Sequence, residues 1–147
     1  MNIYPVWWDT TITIFNKFED PQTHIITWFK TVVTGVFWKA VGNKVTINDT
    51  VLETNNIICR IPKNDKFLEK YLWIQQPNDK MGDYFTLSKG DILIRGNISD
   101  TINEYSAGNR SNDIIAKYKD QGCMSIEKVA INVGAGRCEE HYLAQGI

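Results

Sequence analysis

Phe85-Thr86-Leu87-Ser88-Lys89-Gly90-Asp91-Ile92-Leu93-Ile94-Arg95-Gly96 is the stretch whose reading decides the fold. Two runs of β-branched, aromatic and aliphatic residues flank Ser88-Lys89-Gly90-Asp91, a combination that favours a turn between two strands. The spacing predicts a hairpin, with Tyr84–Leu87 as one strand and Ile92–Gly96 as the other.

Upstream the same chemistry recurs. In Thr10-Thr11-Ile12-Thr13-Ile14-Phe15, Ile12 and Ile14 alternate with Thr11 and Thr13, the period of a half-buried strand. Asp20-Pro21 marks a turn, and His24–Val33 reads as a second strand closed by Thr34-Gly35. Val36–Lys39 then opens a third, so the first 39 residues predict a meander. Lys44–Ile47 and Ile57–Ile61 are two further strands, the latter stopped by Pro62, which has no N–H for a ladder.

Downstream, Asn97–Asn109 is loop-like and one helix follows. Ser111 is the predicted cap, Asp113 places negative charge in the first turn, Ile114, Ile115 and Tyr118 share a face, and Gly122 ends it. So short a helix needs a sheet to pack on. Ser125–Val133 and His141–Leu143 are the last strands, with a hairpin turn at Gly134-Ala135-Gly136. The expected fold is mainly β: a small β-barrel or sandwich with one short helix and a long central loop, in a single domain spanning residues 1–147.

Composition agrees with one globular domain. Hydrophobic residues make up 43% and charged residues 22% of the 147, which argues against disorder. Aromatics at 12%, five of them Trp, supply a core and a surplus suited to subunit contacts. The formal charge of −1 gives no global attraction to nucleic acid or an anionic membrane. No apolar run approaches the roughly 20 residues of a membrane-spanning helix. Met1–Asp9 has neither the basic start nor the apolar run of a signal peptide, so synthesis in the cytoplasm is expected. In that setting Cys59, Cys123 and Cys138 read as free thiols, and the sequons at Asn48, Asn97 and Asn109 as chance matches.

Candidate chemistry fails on named residues. Gly134-Ala135-Gly136-Arg137 lacks the Lys-Ser/Thr of a phosphate loop, and Glu139 stands where a dinucleotide fingerprint needs its third glycine. Cys138, His141, Cys123, Cys59 and His24 have no paired-knuckle spacing for zinc. Glu69, Asp79, Asp83 and Asp91 have no calcium-loop spacing and read as a solvated loop and a turn-forming Asp. Neither histidine sits in a nucleophile–base pattern, so no catalytic residue, metal or cofactor is expected.

The extended loop at about 63–83 is the one segment of different character. It carries Lys63, Lys66, Lys70 and Lys80 interleaved with Asp65, Glu69 and Asp79. A solvated loop is the plain reading. A partner- or DNA-facing loop is the functional one, since ring symmetry multiplies a small local charge.

Three stretches together resemble the small head–tail connector proteins of tailed bacteriophages, the minor capsid or head-closure (stopper) family. They are Ile12–Lys17 with Trp28–Val33 and Gly35–Trp38, then Phe85–Gly96, then Ile126–Tyr142 with Ile126-Glu127-Lys128-Val129, Asn132, Gly134 and His141-Tyr142. The resemblance runs thin between Pro62 and Asp83 and between Ser99 and Gly122. It implies a virion protein at the head–tail neck, assembled in the host cytoplasm as a homo-oligomeric ring below the portal. There it would retain packaged double-stranded DNA and meet a portal or adaptor protein on one side and tail or tail-terminator proteins on the other. It carries over no catalytic residue. A tail terminator or tail-completion protein and a free-standing OB-like binding module are the alternatives; a small hydrolase using His24 or His141 is the weakest.

Overall fold

The computed structural model describes residues 4–133 and 140–147, with the backbone course alone for 41–47 and 51–55. Six strands, β1 (Thr10–Glu19), β2 (Ile26–Ile47), β3 (Thr50–Pro62), β4 (Ile92–Arg95), β5 (Cys123–Asn132) and β6 (His141–Gly146), close into an antiparallel barrel in the order β1-β2-β3-β6-β5-β4. The expected small barrel with one short helix is therefore the observed architecture, and closure removes the free edges that an open sheet of this size would expose.

The predicted meander is corrected in one respect. His24–Val33, Val36–Lys39 and Lys44–Ile47 are not separate strands but parts of one 22-residue strand, β2. Gly35 does not end it. The chain takes φ +75° there, and around this kink β2 changes neighbour. Its pairing with β1 runs from Ile26 to Val36, and its pairing with β3 from Phe37 onward. Glycine accepts such a corner without steric cost. At the far end Asn48 and Asp49 both have positive φ, 51° and 62°, the signature of a two-residue hairpin turn whose twist matches the strands.

That hairpin is longer than the barrel. β3 pairs with β6 only from Ile57 to Pro62, and β1 reaches β2 only as far as Val36. Seven register pairs, Val41↔Asn56 through Ile47↔Thr50, thus belong to β2 and β3 alone. At about 3.3 Å per residue they form a two-stranded arm roughly 23 Å long, continuing past Gly146, the last residue of β6.

The other correction concerns Phe85–Gly96. Ile92–Arg95 is a strand, but it pairs with β1 and β5, not with Tyr84–Leu87. The latter segment makes a single bridge, Phe85 with Phe67. The predicted hairpin is absent because Asn16, Lys17 and Ile126 take up the polar groups of residues 86–91.

Two cores result. Ile12, Ile14, Val33, Cys59, Ile61, Leu93, Met124, Tyr142 and Ala144 fill the barrel. On its outer face Phe15, Ile92, Ile94, Ile98, Ile102 and Cys123 are covered by α2 (Ser111–Gly122) through Ile114, with Ile115 and Tyr118 beside it. The helix ends at Gly122 as the sequence predicts but begins one residue earlier, with Ser111 as its first residue and not its cap. Arg110 occupies the cap position, its N–H donating to Asp113 Oδ2 (3.2 Å), and the Ser111 N–H donates to Glu104 Oε1 (2.9 Å). Glu104 also accepts from Trp28 Nε1 (3.1 Å), which ties the helix start to β2.

Candidate binding surface at the closed end of the barrel

β1 and β3 end, and β2 and β6 begin, at the barrel end opposite the arm. The connection from Lys63 to Asp91 packs across it. Its sequence suggests a polar loop; the structure gives it a four-residue helix, α1 (Lys70–Trp73), and a 3-10 turn (Met81–Asp83). Trp73 and Met81 are fully buried. The Trp73 ring stands edge-on to Phe18 and Phe29, at 6.1 and 5.6 Å, and its Nε1 donates to the Met81 carbonyl (3.2 Å). Phe67 stacks on Tyr142 at 3.9 Å and meets Phe85 edge-on. The connection is thus a plug, held by aromatic anchors over the barrel end.

A buried carboxylate fixes the last part of the plug. Asp91, 1% exposed, accepts from Asn16 Nδ2 (2.9 Å), the Ser88 N–H (3.0 Å) and the Ser88 hydroxyl (3.0 Å) through Oδ2, and from the Lys17 N–H (3.0 Å) through Oδ1. Phe15 pairs with Ile92, so Lys17 lies just beyond the last β1–β4 pair. Its N–H would lack a strand partner, and the Asp91 side chain supplies the acceptor instead. Burial is the largest influence on this carboxyl and raises its pKa, opposed by the Lys17 and Asn16 hydrogen bonds and the Lys70 charge.

The four loop lysines fall in different surroundings. Lys63 lies 3.9 Å from Glu140, and its N–H donates to the Glu140 carbonyl. Lys66 and Lys80 are exposed. Lys70 is half-buried: its Nζ donates to the Lys17 carbonyl (3.1 Å) and lies 4.8 Å from the centre of the Trp73 ring. Burial is the main cause that depresses its pKa.

Lys70 is also one wall of a cleft of about 690 Å³ lined by Lys17, Phe18, Glu19, Pro21, Ile74, Ser88, Lys89 and Asp91. Lys17 and Lys89 were not among the sequence candidates. They lie on β1 and in the 88–91 turn, far from the loop in sequence, and only the fold brings them to Lys70. Phe18 is shared with a second recess, lined by Ile25, Thr27, Phe29 and Asn78. Ile74 in the first recess (47% exposed) and Ile25 in the second (53%) face solvent, as do Tyr71 (58%) and Leu72 (38%) on the same short helix as Lys70. Clustered apolar exposure of this kind, rimmed by charge, is what protein-binding surfaces present.

The remaining candidates are dispersed. His24 is exposed at the β1–β2 turn, 3.6 Å from Glu19. His141 lies edge-on to Trp8 and within 3.2 Å of Asn132 Nδ2. Cys59 and Cys123 are buried free thiols. Burial raises the pKa of both, that of Cys123 to about 11. Cys138, Glu139 and Gly134-Ala135-Gly136-Arg137 lie outside the described residues. Among the described residues no group of three or more His, Cys, Asp and Glu is placed to hold a metal ion, and no helix is long and apolar enough to cross a membrane.

Comparison with curated proteins gives no match, and comparison with solved structures gives none either. A family model does match, over residues 7–146, and on that extent the chain belongs to DUF6751, a family of unknown function.

Proposed function

We propose that this chain is a virion structural protein of the head–tail connector type, a subunit that assembles as a homo-oligomeric ring below the portal, retains packaged DNA and docks the tail. The observation that carries this reading is the β2–β3 arm. Seven pairs of an antiparallel ribbon leave the barrel with no third strand on either side among the described residues. A two-stranded ribbon is marginal in water by itself, so an arm of this length calls for a neighbouring surface. In a ring each subunit offers its neighbour the same surface, and one arm per subunit is enough to close it.

Two further features support the proposal. The closed barrel gives a stiff wall, as a ring around a DNA channel requires. The plugged end, opposite the arm, presents exposed Tyr71, Leu72 and Ile74 with Lys66 and Lys80, a second surface for a second partner. A tail-terminator ring would use the same parts, and partner choice separates the two. The test is retention of the full chain on immobilised portal or adaptor rings compared with tail-tube protein. Retention on portal or adaptor is the expected result; retention on the tail tube alone transfers the assignment to a terminator, and retention on neither overturns it.

A further inference from the structure

The cleft at the end of β1 has features that strand pairing and core packing do not require. Three lysines, Lys17, Lys70 and Lys89, border it from three separate segments, and Phe18, Pro21 and Ile74 give it an apolar floor and rim. Each wall is anchored. Asp91 accepts the Lys17 N–H and both polar groups of Ser88, the residue before Lys89. Asp20 Oδ1 accepts the Gln22 and Thr23 N–H groups, which holds the turn that contains Pro21. Trp73, fully buried, fixes the short helix that begins at Lys70 and is followed by its C-cap, Ile74. A pre-formed recess loses little on binding, and its size falls within the range of ligand-binding clefts.

We propose that this cleft is a docking site for an acidic, aliphatic peptide segment of a partner protein. Charge complementarity selects the occupant. Three lysines and one exposed carboxylate, Glu19, line the cleft: Lys17 and Lys89 are exposed, Lys70 is held by the Lys17 carbonyl, and the second carboxylate, Asp91, already accepts four hydrogen bonds inside the wall. Ile74, with Phe18 and Pro21, presents apolar surface in the cleft that a phosphate backbone cannot use and that alternating carboxylate and aliphatic side chains can. Lysines and arginines alike meet phosphates, but a single strand also needs aromatic faces open for stacking. Phe18, the aromatic residue that lines the cleft, packs against the Trp73 ring instead. The site stands on these residues whether or not the chain forms a ring.

The experiment is titration of the isotope-labelled full chain, followed by amide NMR shifts, with the capped peptide Glu-Leu-Glu-Ile-Glu-Leu. Its all-Gln analogue and a short DNA duplex serve as comparison probes. Saturable shifts at Lys17, Phe18, Lys70, Ile74 and Lys89, with Kd below about 1 mM, are expected. The Gln analogue should bind at least about tenfold more weakly, as should the peptide to Lys89→Glu, whose exposed side chain leaves the fold, and hence the spectrum, intact. No shift at these amides, equal binding of the Gln analogue, or tighter binding of the duplex at the same amides overturns the proposal.

Discussion

Asn16 on β1 donates its Nδ2 to the Asp91 carboxylate at 2.9 Å and to the Thr86 carbonyl at 2.5 Å, so one buried amide joins a barrel strand to both ends of the plug's last turn. Asp91 completes the exchange by accepting the Lys17 N–H. Removing it leaves buried donors without acceptors. Asp91→Ala should cost about 3 kcal/mol, the desolvation penalty of such groups, read as a lower urea midpoint at unchanged slope. A loss below about 0.5 kcal/mol, the level of a neutral surface substitution, would contradict the account.

The same carboxyl sets a pH dependence. Its folded pKa lies above the ordinary 3.8, with burial the largest cause. Between 3.8 and the folded value, the folded chain therefore holds a proton that the unfolded chain has released. Stability from this site is fully present below 3.8 and is lost as pH rises through the folded value. The stability difference between wild type and Asp91→Asn, which cannot titrate, should be most favourable to wild type at the acid end and shrink with rising pH. A difference that grows with pH would show the carboxylate to be favoured on folding.

Gly146 tests barrel closure. It pairs with Ile57 of β3 and Ile126 of β5, and an added Cβ would overlap the Ser125 carbonyl oxygen. That neighbour is backbone in a closed wall and has nowhere to go. Gly146→Ala should destabilise by at least about 2 kcal/mol, the range of forced overpacking, whereas Ile147→Ala, on an exposed side chain, should stay within about 0.5 kcal/mol. Equal thermal midpoints for the two variants would mean that β6 is not clamped between β3 and β5.

Trp73 and Ile74 are neighbours with opposite roles. Trp73→Ala empties a fully buried site between Phe18 and Phe29 and should cost about 3–5 kcal/mol. Ile74→Ser, at the exposed rim, should change stability by less than about 0.5 kcal/mol while weakening peptide docking. Both are read by chemical denaturation, and a mild Trp73→Ala would show the connection to be a loosely held loop.

Much of the barrel was legible in the sequence. The Ile12/Ile14 alternation placed β1, and the Ser111–Gly122 pattern placed the helix with its Ile114 face. Three features were not, each for a physical reason. Gly35 looks like a strand end because a kink and a stop share one residue, and only the change of partner from β1 to β3 tells them apart. Phe85–Gly96 looks like a hairpin because Asp91 is a common turn residue, and nothing local announces that its side chain will take the place of a backbone partner. Trp73 and Met81 have no periodic company, so a plug fixed by isolated anchors reads as a polar loop. The cleft was invisible for the same kind of reason: Lys17, Lys70 and Lys89 meet only through long-range packing. Lys70 alone was found, from the charge of its segment.

Ring assembly is the claim on which the functional account rests, and imaging tests it most directly. Full-length chain is mixed with portal or portal–adaptor rings and viewed by electron microscopy, beside a variant in which residues 41–56 are replaced by a short turn joining Ala40 to Ile57. The account predicts an added ring of density on the portal axis with the full chain and its loss with the arm-deleted variant, whose barrel pairs Phe37–Ala40 and Ile57–Arg60 are retained. Bare portal rings after mixing with the full chain, or an added ring that forms equally well without the arm, would contradict it.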